Sequence, residues 1–233
     1  MVVSVQEIIR TEKLEKIYSA DGVPVHALRG IDLTIESGEF TAIVGPSGSG
    51  KTTLLNIISG LDTPTSGTVW LNGRQVNQMS GKEMSDFRRD NIGFIFQAYN
   101  LIPVLTVKEN IEYIMLLQGI SAGERSRRVD EILESVGLHG FGGRLPTKLS
   151  GGQQQRVAIA RAMVSKPVII MADEPTANLD SKTAGSLLDI MHELNEKTGM
   201  TFVFSTHDTM IMERAQRLVI LKDGSIEHDR IKK

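Results

Sequence analysis

Phe40–Val44 is a short run of mostly apolar residues between polar turns and reads as a buried strand. A glycine cluster follows it. Beyond the cluster, Leu54, Leu55, Ile57 and Ile58 recur at helical spacing, and Gly60 is a natural stop. The order is strand, glycine loop, helix. Upstream, the first 45 or so residues read as short strands joined by turns, with Ala20-Asp21-Gly22 as hairpin punctuation. Downstream, residues 68–72, closed by Asn72-Gly73, read as a further β stretch. A polar helix is predicted over 81–89 and a strand over 92–96. The periodicity then turns mostly helical from Gln97 to Val164, in segments 107–118, 122–136 and 151–164 separated by glycines and Pro146. Two buried-strand runs, 168–172 and 201–205, flank a predicted helix over 183–197 and make a βαβ unit. A hairpin at Asp223-Gly224 closes the chain. Neither repeats nor low-complexity tracts interrupt this plan.

A chain of 233 residues suffices for one large α/β domain with a subdomain inserted in it. The pattern predicts a core from about 1–96 and 165–233, with a helical subdomain over about 97–164. Asp and Glu together number 28 against 26 for Lys and Arg, so the net charge gives no reason to expect nucleic acid as a partner. The absence of cysteine excludes disulfides, thiolate metal sites and a cysteine nucleophile. No apolar run reaches the roughly 18 residues that a spanning helix needs, and the opening MVVSVQEIIRTEK lacks the layout of a signal peptide. Membrane association is therefore expected only through a partner or a surface.

The glycine loop carries the first chemistry. Gly45-Pro46-Ser47-Gly48-Ser49-Gly50-Lys51-Thr52 matches G-x-x-x-x-G-K-[ST] and lies between a strand and a helix, where that motif must lie. Glycines let backbone N–H groups turn inward around phosphates, and the helix N-terminus adds a favourable dipole. Lys51 supplies a point charge, Thr52 an oxygen for Mg²⁺, and Thr53 follows in the same first turn. ATP with Mg²⁺ is the expected ligand, on a P-loop NTPase core of α/β class preceded by an antiparallel β subdomain.

Asp173 and Glu174 follow the strand run 168–172, at the carboxyl end where parallel sheets bind ligands. Asp173 is the candidate metal-shell ligand and Glu174 the candidate base that orients the attacking water. His207 follows the run 201–205. A lone histidine there is more often structural, but this strand end can face a γ-phosphate and stabilise charge developing in phosphoryl transfer. His26, His139, His192 and His228 have no such placement and read as surface or packing residues.

Leu149-Ser150-Gly151-Gly152-Gln153 opens the helix at 151–164 and resembles the LSGGQ signature of the ABC (ATP-binding cassette) ATPases. Read locally, it is a softened N-cap that exposes a second anion cradle. The resemblance covers essentially the whole chain. It implies a head-to-tail dimer in which Ser150, Gly151, Gly152 and Gln153 of one copy close on the γ-phosphate held by the other. It further implies that Tyr18 stacks on adenine, that Gln97 reaches metal and water at the entry to the helical subdomain, and that Asp180 lies in the loop crossing to the second copy. The stretches 96–103, 105–107 and 153–161 resemble the bacterial branch of lipoprotein-release, macrolide-export and cell-division ATPases. Ala177 stands where that branch usually has glycine, and Arg144 where histidine is common.

The expected activity is ATP hydrolysis coupled to integral membrane permease subunits, for transport or mechanical transmission, by a cytoplasmic chain peripheral on the inner face of the membrane. The competing reading is a soluble ABC ATPase working on DNA, ribosomes or iron–sulfur assembly. The lack of coiled-coil insertions, of a tandem cassette and of cysteines disfavours it. A non-hydrolysing nucleotide sensor conflicts with the presence of Glu174 and His207.

Overall fold

A computed structural model describes residues 6–20 and 23–232. Strands β1 (Glu7–Ala20) and β2 (Val23–Glu36) pair antiparallel along their whole length. This corrects the expectation of short strands. The turn expected at Ala20-Asp21-Gly22 falls on Asp21 and Gly22, outside the described residues. The other irregularities, Lys13 with φ 44° and Gly30 with φ 70°, bend the ribbon without ending it. The register shifts between Thr11 and Leu14 and again between Leu14 and Lys16, as bulges do when one strand carries an extra residue. Leu14, Leu28 and Ile31 remain buried beneath it.

β3 (Phe40–Val44) leads through the glycine loop to α1 (Lys51–Ile58), then β4 (Ser66–Leu71), the two-residue β5 (Arg74–Gln75), α2 (Gly81–Asn91) and β6 (Ile92–Ile95). Three helices follow, α3 (Val107–Leu117), α4 (Ala122–Ser135) and α5 (Gly151–Met163). The chain ends with β7 (Ile169–Asp173), α6 (Ser181–Thr198), β8 (Thr201–Thr206), α7 (Thr209–Arg214), β9 (Arg217–Lys222) and β10 (Ser225–Ile231). Reciprocal capping boxes start α2, α3 and α5, from Ser80 with Glu83, Thr106 with Glu109 and Ser150 with Gln153. The six-residue α7 is too short to show periodicity in the sequence.

Two sheets form, ordered β2-β1-β4-β5 and β10-β9-β3-β8-β7-β6. In the second, β9, β3, β8, β7 and β6 are mutually parallel and β10 is antiparallel at the edge. Side chains alternate between its faces. Phe40, Ala42, Ile170, Ala172, Phe202 and Phe204 point to a cluster shared with α3, α4, α5 and α6. Ile43, Ile169, Met171 and Val203 point to a second cluster with α1, α2 and the antiparallel sheet. With both faces covered, these strands read as near-continuous apolar runs. The carboxyl ends of β3, β6, β7 and β8 share one edge of the sheet, and there lie Gly45, Gln97, Glu174 and His207.

β6 can pair at the edge and still lie under α5 because residue 93 has no side chain. A Cβ on Gly93 would stand 2.3 Å from the Ala162 carbonyl oxygen, on backbone that cannot yield. Gly93→Ala should therefore destabilise the fold by about 1–3 kcal/mol, the usual cost of overpacking. Urea unfolding checks this, as a lower midpoint at unchanged slope.

Candidate active site

The glycine loop folds as its sequence requires. Gly50 caps α1 at φ 101°, and a Cβ there would meet the Ala27 carbonyl oxygen at 2.5 Å. Lys51 is buried, and its ammonium donates to the carbonyls of Gly45 at 2.9 Å and Pro46 at 3.0 Å, curling back over the loop. Pro46, Ser47, Gly48, Gly50, Lys51, Thr52 and Thr53 line a cavity of about 630 Å³ that also receives Gln97, Glu174 and His207. Gly45 is outside that lining. Ser49 is turned inward, donating its N–H to Pro46 O at 3.2 Å and accepting from Gly224 N at 3.1 Å.

Asp173, at the end of β7, accepts from the Thr52 hydroxyl at 3.2 and 3.3 Å through its two oxygens. Adjacent ligands about 2.1 Å from an octahedral Mg²⁺ lie roughly 3.0 Å apart, so this pair of hard oxygen donors suits that ion. Gln97 lines the same cavity. Its backbone carbonyl accepts from Asn178 Nδ2 at 2.9 Å, which ties the segment after β6 to the segment after β7. Among the described residues no group of three or more His, Cys, Asp or Glu is placed to hold a metal. A bound ion would therefore rely on substrate oxygens as well as on the protein.

Glu174 takes φ 46°, a left-handed backbone that costs a non-glycine residue energy and is held only by surrounding contacts. Its N–H donates to Ser205 O at 2.9 Å, so β8 fixes it directly. Thr206 donates to Glu174 Oε2 at 3.1 Å, and His207 Nδ1 lies 2.7 Å from Oε1. The carboxylate is mostly buried, while the imidazole is 73% exposed and reaches over the cavity.

Ser150, Gly151, Gly152 and Gln153 lie elsewhere. They line a separate cavity of about 510 Å³ together with Asn178, Asp180 and Thr183. No residue lines both cavities. Asp180 caps α6, accepting from Thr183 N at 3.0 Å. The second anion cradle therefore does not meet the first within one chain.

Tyr18 stands beside the cavity rather than in its wall, with its hydroxyl donating to Asp62 Oδ2 at 2.7 Å and Thr53 next to it. Lys16 donates to Asp62 Oδ1 at 2.7 Å, and its ammonium lies 4.8 Å from the Tyr18 ring centroid. Burial and the Asp62 hydrogen bond push the phenol above its usual value. Burial also pushes Asp62 upward, but the Lys16 ammonium and the Tyr18 hydroxyl together outweigh it and hold this carboxyl below the usual carboxylate range. Neither Lys16 nor Asp62 was singled out from sequence. The sequence places His26 among surface or packing residues. It is exposed, but with Val25 and Ala27 it lines the mouth of the cavity. The pairing of Ile17 with His26 and of Tyr18 with Val25 in the hairpin puts them there, and only that register could have revealed it.

The family model described as ABC transporter matches residues 28–177. An uncharacterized ABC transporter ATP-binding protein of Thermotoga maritima is 48% identical over 91% of this chain and 90% of its own length. The lipoprotein-releasing system ATP-binding protein LolD of Legionella pneumophila is 42% identical over 94% of this chain and 96% of its own. The dimeric structure of the MJ0796 cassette, a protein of Methanocaldococcus jannaschii, superposes with a TM-score of 0.90 at 43% identity, covering 97% of this chain and 99% of that one. A second structure of that cassette, in a post-hydrolysis state bound to ADP and Pi, gives 0.89.

If Asp62 holds the Tyr18 ring, Asp62→Asn should weaken ATP binding about 3- to 10-fold, the range of one aromatic stacking contact, and leave kcat unchanged. Calorimetric titration against steady-state turnover checks it. A depressed carboxyl contributes stability in full above its unfolded value of about 4 and loses it as pH falls through the lower folded value. Urea unfolding between pH 6 and pH 2 should therefore show a shallower loss of stability in Asp62→Asn than in the parent.

Proposed function

A member of the ABC transporter family, this chain is an ATP-hydrolysing subunit that works as a dimer with a membrane partner in transport, and we propose that Glu174 is its catalytic base. The observation that carries the assignment is the convergence of Lys51, Thr52, Glu174, Gln97 and His207 on one cavity, with Asp173 held to it through the Thr52 hydroxyl, while the cradle at Ser150 faces another. Backbone N–H groups of residues 46–52 and the Lys51 ammonium hold the phosphates of ATP, the lysine exchanging carbonyl oxygens of its own loop for phosphate oxygens. Thr52, Asp173 and Gln97 are the oxygen donors for a magnesium ion, which when bound neutralises charge on the phosphates.

Glu174 orients a water in line with the γ-phosphorus and accepts its proton as the new P–O bond forms and the bond to the ADP oxygen breaks. His207, braced on Glu174, reaches the γ-phosphate oxygens and steadies the charge that develops there. Ser150, Gly151, Gly152 and Gln153 of a second copy complete each site, and Tyr18 stacks on the adenine. Asp180, on the loop beside that cradle, lies at the seam between copies. ATP thus closes two copies head to tail over two nucleotides, and release of ADP and phosphate reopens them.

The core of about 1–96 and 165–233 carries the nucleotide, and the helical subdomain of about 97–164 swings on the segment at Gln97. A groove of about 290 Å³ between them is lined by Phe94, Phe96, Asn100, Ile102, Tyr113 and Arg161, among others. Tyr113, Leu116, Leu117 and Val104 nearby are exposed apolar side chains, the mark of a surface that another protein covers. There the membrane partner takes hold, next to Gln97, so that closure moves it. Among the described residues no helix is long and apolar enough to cross a membrane. The chain thus reaches the inner face of the cell membrane through that partner, and lipoprotein release or macrolide export is the type of work that its relatives suggest.

Glu174→Gln should bind ATP normally, lose a factor of roughly 10² to 10⁴ in kcat, and accumulate as an ATP-bound dimer in sedimentation. Normal turnover would remove Glu174 from the role. Lys51→Ala should instead raise the Kd for ATP about 10- to 100-fold, the worth of one charged hydrogen bond, as measured by equilibrium titration.

A further inference from the structure

Gln155 is an unexpected side chain to find inside this protein. It lies on α5, five residues after Ser150, and is 0% exposed. Its amide nitrogen donates to the carbonyl of Pro175 at 2.6 Å, whereas Oε1 has no partner among the described residues. A buried amide with an orphaned oxygen costs stability, and an apolar side chain of the same length would not incur that cost. Packing therefore does not account for it.

Its partner does. Pro175 follows Glu174, whose left-handed backbone persists only because its neighbours hold it. On the sheet side these are the Ser205 carbonyl and the hydroxyl of Thr206. One residue beyond Pro175, the Thr176 hydroxyl donates to Asp208 at 2.6 Å. From the helical side, Gln155 holds the peptide between them. α5 is a rigid rod, and its capping box makes Ser150 and Gln153 part of it. A displacement of its N-terminus reaches Pro175 over about 8 Å of helix, at 1.5 Å per residue.

We infer that Gln155 is a positioning residue through which the cradle at Ser150, acting on the partner's nucleotide, sets the backbone of Glu174 in its own site. Closure over one ATP then aligns the base at the other. This inference rests on the assignment of Glu174 as base.

The test uses the full chain and compares Gln155→Met, Glu174→Gln and the double variant. Gln155→Met removes the donor together with the orphaned oxygen at nearly constant volume. It should have an unchanged or higher melting temperature and unchanged ATP affinity, with kcat down about 10- to 100-fold, as for a displaced catalytic group. On the Glu174→Gln background it should cause no further loss, because its effect passes through that carboxylate. Unchanged kcat in Gln155→Met, or an independent multiplicative loss in the double variant, overturns the inference while leaving Glu174 as base. Full turnover by Glu174→Gln overturns the assignment beneath it. If Gln155→Met does not fold, Gln155→Asn, which keeps the amide but withdraws it by one methylene, is read by the same criteria.

Discussion

Parallel registration of β3, β8, β7 and β6 is the constraint from which the chemistry of this protein follows. Only in a parallel sheet do four strands deliver their carboxyl ends to one edge, and here each delivers a different group: a glycine loop, a histidine, a pair of carboxylates and a glutamine. The alternating burial of Phe40, Phe202 and Phe204 on one face, and of Ile43 and Val203 on the other, fixes the register. A slip of one residue would send the side chains of the slipped strand to the opposite faces, mismatching both clusters, and would displace Glu174 from Ser205. Stability and catalysis thus depend on the same alignment.

Within the site, charges are already partnered. Lys51 rests on two carbonyls of its own loop, Glu174 on Thr206 and His207, and Thr52 on Asp173. A buried charge without a partner would be costly, and these contacts provide for each one locally. The two carbonyl contacts of Lys51 can be exchanged for oxygens of a triphosphate without moving the strands. Preorganisation of this kind places the reorganisation in side chains.

Much of this was legible in the sequence, for identifiable reasons. The loop from Gly45 to Thr52 could be read because phosphate binding demands particular residue types at fixed offsets. Asp173 and Glu174 could be read because a buried strand runs straight into them. The long, bulged β1 and β2 could not, since Lys13 and Gly30 give the same local signal whether they end a strand or bend it. Lys16 and Asp62 are ordinary surface charges until the fold brings residues 46 positions apart to 2.7 Å. Gln155 lay hidden in a polar run of three glutamines, of which only it is fully buried. Side chains whose role depends on a distant backbone carbonyl leave no periodic trace.

The separation of the two anion cradles in one chain makes the central claim a claim about two copies, each completing the other's site. The most direct test mixes Lys51→Ala with Ser150→Arg, each expected to turn over little alone at ATP near the parent Kd, and measures ATP turnover there. A mixed dimer contains one pairing of intact Lys51 with intact Ser150, so turnover should reappear on mixing and follow the fraction of mixed dimers, at a rate lowered by the alignment that its defective site no longer supplies. A mixture no more active than its separate components, or a Ser150→Arg chain that hydrolyses ATP at the parent rate by itself, would contradict the account.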